Sequence, residues 1–227
     1  MRIVCISDTH SHHERIVVPE GDVLIHAGDL TRSGTQAQIH DTYIWLAGLP
    51  HERIIVTPGN HDFELDRNTH LLQMVNTMFP RIETLVDSET MLGGMRVWGS
   101  PWTPWFNDWS FIFASGPAGE KEARAKWDEI PDDTAILVTH GPPYGIGDAT
   151  QHGWHVGCPA LKARTAQLPN LRLHVFGHVH EAYGAQRVGD VLYVNACSCD
   201  VLYYPRHPPI VVDIDETGAR APDAQLT

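Results

Sequence analysis

Five apolar segments of this 227-residue chain each end in a group of side chains that can bind a metal ion. In chain order the five groups are Asp8-Thr9-His10, Gly28-Asp29, Gly59-Asn60-His61-Asp62, Thr139-His140-Gly141 and Gly177-His178-Val179-His180. Each group alone is most simply a polar turn, and a lone His-x-His pair could be two surface imidazoles. Open α/β sheets, however, carry their chemistry at the carboxyl ends of their strands. Five such groups at five predicted strand ends therefore indicate a fold that gathers them at one place.

Hydrophobic periodicity predicts an α/β chain. Apolar runs over residues 3–6, 23–27, 53–57, 135–139 and 171–176 predict buried strands, and helical spacing of apolar residues predicts helices within 35–49 and 71–79. The pair Gly93-Gly94 predicts a hairpin, and segment 84–87 is expected to join its antiparallel strands. Segments 183–188, 191–195 and 210–214 are expected to form a closing meander. Right-handed crossovers make the first units parallel. The predicted fold is a four-layer α-β-β-α sandwich of two mixed β-sheets flanked by helices.

The domain organisation and the cell compartment follow from simpler features. The chain contains no repeat, linker or low-complexity tract, so residues 1–227 are predicted to form one domain with a polar tail, 215–227, that frays. Cys5, Cys158, Cys197 and Cys199 lack the spacing of a zinc site or a disulfide framework, so we expect free thiols. There is no signal-peptide pattern and no apolar stretch of membrane-spanning length. These features predict a soluble cytoplasmic protein.

The charge balance bears on the partners. The chain has 28 acidic and 16 basic residues, a formal net charge of -12, and no basic stripe. Because neutralised phosphates dominate the affinity of proteins for nucleic acids, this sequence carries no strong nucleic-acid signal. The absence of a basic track favours a small-molecule substrate over a polymer, and no membrane partner is expected. The sequence leaves the oligomeric state open, a homodimer included.

The polar groups supply seven candidate metal ligands of carboxylate, amide and imidazole type. They are Asp8, His10, Asp29, Asn60, His140, His178 and His180. Seven ligands are too many for one ion, whereas two divalent ions that share a carboxylate would leave positions open for solvent and substrate. Imidazole-rich sites favour manganese, iron or zinc over magnesium. The predicted cofactors are two divalent metal ions, with manganese preferred and iron or zinc as alternatives.

In their order along the chain, these groups resemble the five motifs of the calcineurin-like metallophosphoesterase family, whose α-β-β-α sandwich matches the predicted fold. The resemblance implies that Asp29 bridges two ions. It further implies that the first ion is held by Asp8, His10, Asp29 and His180, and the second by Asp29, Asn60, His140 and His178.

A narrower resemblance covers nearly the full chain. Segments 99–107, 139–143, 174–184 and 208–210 are similar to the metallophosphoesterase-domain-containing proteins of animals and their bacterial relatives. These proteins, and the similar class III cyclic-nucleotide phosphodiesterases, act on phosphodiesters. The resemblance therefore implies a dinuclear metal-dependent phosphodiesterase for a small, nucleotide-like diester such as a cyclic nucleotide. In-line attack by a metal-bridging hydroxide is the expected mechanism.

His61 lies next to Asn60 but outside the ligand set, and we predict that it is catalytic. It would stabilise the developing charge or protonate the leaving alkoxide, although it could instead only support Asn60. Many family members carry an acid three residues after the bridging Asp that orients this His, and here that position is Arg32. What orients His61 is therefore an open question at this point.

Substrate contacts are predicted from Arg32, Trp102 and Trp105. Arg32 could bind a phosphate oxygen or be solvated, and the tryptophans could wall a pocket or fill the core. Asn195 could hold the metal-bearing loops or form a turn, and His26 is most simply a packed core residue. The alternatives are a phosphomonoesterase or a nuclease on the same site, or a non-catalytic binding scaffold. The complete set of seven ligand positions argues against the scaffold.

Overall fold

Two mixed β-sheets of six strands each form the centre of the protein in a computed structural model that describes residues 1–215 and 217–222. The strands of the first sheet are β1 (Arg2–Ile6), β2 (Val23–His26), β3 (Arg53–Val56), β4 (Ile82–Thr84), β11 (Ile210–Asp215) and β12 (Gly218–Arg220). Their spatial order is β12-β11-β1-β2-β3-β4, and β1 to β4 run parallel. Four parallel strands therefore end at the same edge.

The second sheet has the same number of strands. They are β5 (Ser88–Leu92), β6 (Met95–Ser100), β7 (Thr134–Thr139), β8 (Leu173–Phe176), β9 (Gly184–Val188) and β10 (Val191–Asn195), in the spatial order β5-β6-β7-β8-β10-β9. Strands β6, β7, β8 and β10 are parallel, and the hairpins β5-β6 and β9-β10 close the two edges.

The helices lie on the outer faces. They are α1 (Gln36–Gly48), α2 (Phe63–Arg67), α3 (Thr69–Met78), α4 (Gly116–Trp127) and α5 (Pro159–Thr165), with single 3-10 turns at His13–Arg15 and His180–Ala182. The Thr35 hydroxyl caps α1 by accepting a hydrogen bond from the Gln38 amide at 3.3 Å. No helix among residues 1–215 and 217–222 is long and apolar enough to cross a bilayer.

Alternation along the strands explains the layers, because successive side chains point to opposite faces of a sheet. Ile3 and Cys5 of β1 pack between the two sheets, whereas Val4 and Ile6 pack against α1. In the second sheet Leu137 of β7 instead faces the core under α4 and α5. Both sheets are therefore buried on both faces, and the four-layer sandwich that the sequence predicts is confirmed.

Three local expectations differ from the structure. Residues 82–84 form a parallel strand beside β3 instead of an antiparallel one, and β11 leaves the expected meander to pair with β1 in the other sheet. The expectation that the tail 215–227 frays is wrong for Gly218–Arg220, which pairs with β11 and fully buries Ala219. Residues 216 and 223–227 of that tail lie outside the described residues. The single domain over 1–227 stays a prediction.

The carboxyl ends of the two sheets meet. Ser7 after β1 forms a parallel bridge with Cys197 after β10, and the Ser198 amide donates to the Ser7 carbonyl at 2.8 Å. The Gly177 amide after β8 donates to the carbonyl of His140 after β7 at 3.0 Å. The loops that carry the five polar groups therefore converge on one place.

Candidate metal centre

Four of the seven predicted ligands have a left-handed backbone. The φ angles are 51° at Asp8, 43° at His10, 53° at Asp29 and 69° at His178. Non-glycine residues seldom adopt this conformation, which costs about 1–3 kcal/mol each and often marks functional sites. The loops hold one another in place, since the Asp8 amide donates to the Gly28 carbonyl at 2.8 Å and the His10 amide to the Asp29 carbonyl at 3.1 Å. The turns direct these side chains into the space between the two sheet ends.

Two motif glycines allow the loops to approach closely. A Cβ atom at Gly177 would collide with the Asp8 carboxylate, and one at Gly59 would collide with both the Asp29 carboxylate and the ring of His140. A residue with a side chain at either position would therefore push a predicted ligand out of place. This is the physical reason for glycine in these motifs.

Asp8, His10 and His180 form one candidate ligand group, whose ligand atoms all lie within 4.8 Å of one another. The His180 Nε2 atom is 3.2 Å from Asp8 Oδ1 and 3.2 Å from His10 Nε2. The second Asp8 oxygen accepts a hydrogen bond from the buried Cys197 thiol at 3.1 Å. Three potential ligand atoms thus converge on a point that a single cation could occupy.

Asp29 lies in two further groups, with Asp8 and His140 in one and with His10 and His61 in the other. Its Oδ1 atom is 3.4 Å from His140 Nε2, and its Oδ2 atom is 3.8 Å from His10 Nε2. The His140 Nε2 atom is also 2.9 Å from Oδ1 of Asn60. The two oxygens of Asp29 therefore face two different sets of nitrogen and oxygen atoms.

His178 is the most peripheral of the predicted ligands. Its ring centroid is 5.0 Å from that of His140, and its amide donates to the Asp8 carboxylate at 3.0 Å. The His178 ring is not in any of the three ligand groups, although it lies beside the group that contains His140. The other six predicted ligands converge directly, and His178 borders them.

The charges of the site balance in pairs. Burial would raise the pKa of Asp8, but the hydrogen bond from His180 lowers it well below its usual value. Burial likewise opposes the ionisation of Asp29, yet the charge of His140 lowers the pKa of that carboxyl. Burial disfavours the protonated rings, but Asp29 raises the pKa of His140 to about 9 and Asp8 raises that of His180 to about 9. Without a metal ion, two imidazolium rings therefore compensate the two carboxylates.

The other two imidazoles stay neutral. Burial lowers the pKa of His10 to about 4 and that of His178 to about 3. The Nδ1 atom of His10 is buried and has no hydrogen-bond partner within the described part of the chain, where no Lys or Arg side chain pairs with Asp8 or Asp29 either. Buried carboxylates and imidazoles without a Lys or Arg partner are a donor set that suits divalent transition-metal ions. The residues present fit a metal centre.

A main-chain carbonyl orients His61. The Nδ1 atom of His61 is 2.8 Å from the carbonyl oxygen of Arg32, which can only accept a hydrogen bond, so Nδ1 carries the proton. The other ring nitrogen, Nε2, is 3.8 Å from Asp29 Oδ2 and faces the ligand groups. The backbone carbonyl of residue 32 therefore orients His61, at the position where the family resemblance led us to expect an acidic side chain.

Asp62 is a structural residue that the sequence did not identify. Its carboxylate accepts hydrogen bonds from the amides of Gly59 at 2.8 Å, Leu30 at 3.2 Å and Thr31 at 3.0 Å, and from the Thr31 hydroxyl at 2.8 Å. Burial and the charge of Asp29 raise the pKa of Asp62 to about 6. Asp62 ties the loop after β2 to the loop after β3.

His26 is more than a packed core residue. Its Nδ1 atom accepts from the Gly28 amide at 3.3 Å, and its Nε2 atom lies 3.0 Å from the Thr9 hydroxyl, which donates to the Leu30 carbonyl at 3.1 Å. This chain of hydrogen bonds requires the proton on Nε2. It connects the loop of Asp8 and His10 to the loop of Asp29.

The second sheet contains a similar arrangement. The Nε2 atom of His174 is 2.8 Å from the hydroxyl of Thr139, which precedes a predicted ligand and donates to the Gly141 carbonyl at 2.7 Å. Asn195 donates to the Val179 carbonyl at 2.9 Å and accepts from the Cys197 amide at 3.2 Å, so it both holds the loop of His178 and His180 and forms a turn, the two roles that the sequence left open.

The two predicted substrate tryptophans lie elsewhere. Trp102 stacks on Phe113 with ring centroids 5.3 Å apart and donates to Asp87 at 2.9 Å, so its ring belongs to the wall of the outer core. Trp105 is 53% exposed and lines a cavity of about 320 Å³ beside α4 and α5. Neither ring has a contact with a site histidine among residues 1–215 and 217–222. For Trp102 the core alternative is correct, because its indole NH and its ring face both find partners there.

Other aromatic rings border the site. Trp109 lies 4.2 Å from the ring of His61, and Phe106 lies 5.0 Å from that of His178. Tyr203, which the sequence did not single out, lies 4.6 Å from His10. Burial, followed by the charges of the two site carboxylates, raises the pKa of the Tyr203 phenol. A left-handed backbone at Tyr203 positions this ring, and hydrophobic periodicity in the sequence does not indicate such a position.

Comparison with known proteins agrees with this geometry. The chain is 40% identical to metallophosphoesterase domain-containing protein 1 of Homo sapiens, over 94% of this chain and 71% of that protein. It is 31% identical to a UPF0046 protein of Caenorhabditis elegans, over 94% of this chain and 81% of that protein. A crystal structure of a Thermus thermophilus protein has the same fold, with a TM-score of 0.65 at 15% identity and 97% coverage of both chains.

The family model described as calcineurin-like phosphoesterase matches residues 1–182, which include all five polar groups. That family uses a dinuclear centre of divalent metal ions, and the candidate ligand groups of this structure lie where the five motifs converge. The chain belongs to the calcineurin-like phosphoesterase family, which makes it a metal-dependent phosphoric ester hydrolase.

Proposed function

We propose that the protein is a phosphodiesterase for a small, nucleotide-like diester such as a cyclic nucleotide. The observation that carries the proposal is the position of Asp29, whose two oxygens face His140 on one side and His10 on the other. Two divalent ions would share this carboxylate, and when bound they would polarise the phosphoryl group and supply an activated water. The residues that would hold them are Asp8, His10, Asp29, Asn60, His140, His178 and His180.

His61 is the proposed general acid. The hydrogen bond from Nδ1 to the Arg32 carbonyl fixes the ring, so Nε2 is the nitrogen that can give a proton to the leaving alkoxide. The rings of His10 at 4.7 Å and Trp109 at 4.2 Å pack against it, and His61 is only 8% exposed. This packing keeps water away from the transferred proton and limits ring rotation.

The charge of the cleft supports a monoanionic diester over a dianionic monoester. Arg32 is the one Lys or Arg side chain that contacts a site-bordering ring among the described residues, with its guanidinium 5.5 Å from the centroid of Tyr203. A second negative charge on the substrate would need further cationic partners. The bordering rings of Phe106, Trp109 and Tyr203 support a substrate with a flat, stackable group such as a nucleobase.

The donor set supports transition-metal ions, and we propose manganese with iron or zinc as alternatives, because four of the seven proposed ligands are imidazoles, which suit transition metals better than magnesium. The four cysteines are free and buried, which supports work in a reducing compartment such as the cytoplasm.

The test is a substrate panel. Protein reconstituted with Mn²⁺, Fe²⁺ or Zn²⁺ is assayed on bis-p-nitrophenyl phosphate, p-nitrophenyl phosphate, cyclic nucleotides and oligonucleotides, with metal content measured in parallel. We expect the highest kcat/KM on small diesters, with about two equivalents of metal bound. Preferential cleavage of the monoester or of oligonucleotides would replace the proposal by a phosphomonoesterase or a nuclease. Weak metal binding without turnover would identify a scaffold.

A further inference from the structure

Tyr203 lies in a short loop that is built around Asp200. The Asp200 carboxylate accepts hydrogen bonds from the amides of Leu202 at 2.9 Å and Tyr204 at 3.0 Å, and the Asp200 amide donates to the Tyr204 carbonyl at 2.9 Å. Arg206 forms an ion pair with the other carboxylate oxygen at 3.1 Å. These bonds make the segment a compact turn and not a loose surface loop.

This turn is attached to the metal centre. The Nδ1 atom of His180 donates to the Asp200 carbonyl at 2.8 Å, which leaves the Nε2 atom of His180 directed at Asp8. The Tyr203 amide donates to the same Asp200 carbonyl at 2.8 Å. One peptide oxygen therefore fixes both a predicted ligand and the residue that lies over it.

The backbone of the turn directs Tyr203 inwards. Its φ angle is 61°, an unfavourable value for a bulky residue, which persists only where the surroundings enforce it. The neighbouring side chains Val201, Leu202 and Tyr204 are 47%, 66% and 49% exposed, whereas Tyr203 is partly buried. Only Tyr203 of this apolar run faces the site.

Its ring lies over three site histidines. The centroid distances are 4.6 Å to His10, 5.3 Å to His180 and 6.1 Å to His61. The Arg32 guanidinium lies 5.5 Å from the Tyr203 centroid. Within the described ranges the Tyr203 hydroxyl has no hydrogen-bond partner and the residue is only partly buried, so this donor is available to a ligand.

We propose that Tyr203 contacts the substrate, with its hydroxyl donating a hydrogen bond to a non-bridging phosphoryl oxygen and its ring, together with Arg32, forming one wall of the cleft. The ring of Trp109, 4.2 Å from that of His61, borders the same site. The inference rests on the proposed phosphoester substrate. The general family model matches only residues 1–182, so Tyr203 is a feature of the part of the chain beyond that match.

The experiment compares Tyr203→Phe with the matched control Tyr204→Phe, since both variants remove one phenol oxygen from the same turn. A hydrogen bond to a charged group contributes about 1.5–3 kcal/mol, so Tyr203→Phe should lower kcat/KM on bis-p-nitrophenyl phosphate by about 10- to 100-fold. Tyr204→Phe should match the wild type. The affinity of the metal-loaded protein for inorganic phosphate, measured by calorimetry, should fall by a similar factor in Tyr203→Phe alone.

The metal content of both variants is the second readout. We expect two equivalents of metal in each, because Phe keeps the ring packing on His10. Equal kcat/KM and equal phosphate affinity in Tyr203→Phe and the control would overturn the assignment. Loss of metal from Tyr203→Phe would also overturn it, because Tyr203 would then act through the ligands. If the wild type cleaves no phosphoester, the proposed function fails, and phosphate binding still decides whether Tyr203 contacts a phosphoryl group.

Discussion

The site has two parts that are held in place differently. The floor consists of the seven predicted ligands, and the rim consists of Arg32, Phe106, Trp109 and Tyr203. The floor residues leave strand ends and are fixed by buried partners, such as the hydrogen-bond chain through His26 and Thr9. The rim residues lie on loops, and Arg32 and Phe106 are exposed. The floor is therefore held by the ends of the two sheets, whereas the rim is held by loops and, at Tyr203, by the hydrogen bonds of a single turn.

This difference predicts that changes in the floor abolish chemistry and metal binding, whereas changes in the rim alter recognition. The largest effect is expected for Asp29→Ala, because Asp29 faces both ligand groups. The variant should lose at least about 1000-fold in kcat/KM and bind less than two equivalents of metal. The measurement is activity with metal analysis, and the exposed Asp41→Ala is the control. An active Asp29→Ala variant that still binds two equivalents would refute the shared-carboxylate arrangement.

His61→Ala tests whether catalysis can be lost without loss of metal, because His61 lies beside the ligands but is not one of them. Because His61 is outside the ligand set and its Nε2 faces the site, kcat should fall by about 100-fold or more while metal content stays the same. The surface variant His152→Ala should behave as wild type. If His61→Ala loses metal in proportion to activity, then His61 only supports Asn60.

The buried histidines behind the floor predict acid sensitivity. Burial lowers the pKa of His26 to about 3 and that of His174 to about 3, whereas unfolded histidines titrate near pH 6.5. The unfolded chain therefore binds more protons, so stability is full above about pH 6.5 and falls as the pH decreases towards 3.

At pH 5 the loss is roughly 2 kcal/mol for each histidine. Urea unfolding of chelator-treated protein at pH 7 and pH 5 measures it. His174→Gln, which keeps a donor near Thr139, should lower the overall stability but lose roughly 2 kcal/mol less between the two pH values than the wild type does. The same loss in both proteins would show that His174 does not contribute.

Arg32→Ala is expected to have the smallest effect and to act through the rim alone. The variant removes the guanidinium near Tyr203 but keeps the main-chain carbonyl that orients His61. KM for a diester should rise by about 3- to 10-fold with little change in kcat, in line with an exposed charged contact. A fall in kcat as large as that of His61→Ala would mean that the Arg32 side chain, and not its backbone, supports proton transfer.

The floor could be predicted because each of its residues is specified by a short stretch of sequence. An apolar run followed by a polar group specifies a buried strand and the residue at its end, and parallel strands then bring those ends together. Six of the predicted ligands accordingly converge, and His178 lies at their border. What orients His61 could not be predicted, since a backbone carbonyl leaves no signature in the side-chain sequence.

The rim could not be predicted because it depends on loop conformation and long-range pairing. Trp102 and Trp105 are as aromatic as Trp109, but hydrogen bonding to Asp87 and packing on Phe113 place the first of them in the outer core. Tyr203 reaches the site through a left-handed turn that Tyr204 does not share. The pairing of β11 with β1 similarly joins segments about 200 residues apart, which periodicity does not register.

Because a main-chain carbonyl orients His61, the side chain of residue 32 is not needed to position this proposed general acid. Every amino acid supplies this carbonyl, so a substitution at position 32 keeps the hydrogen bond to the imidazole while it changes the side chain near Tyr203. If Arg32 contacts the substrate as proposed, evolution or protein engineering can change ester preference at this position without displacing His61.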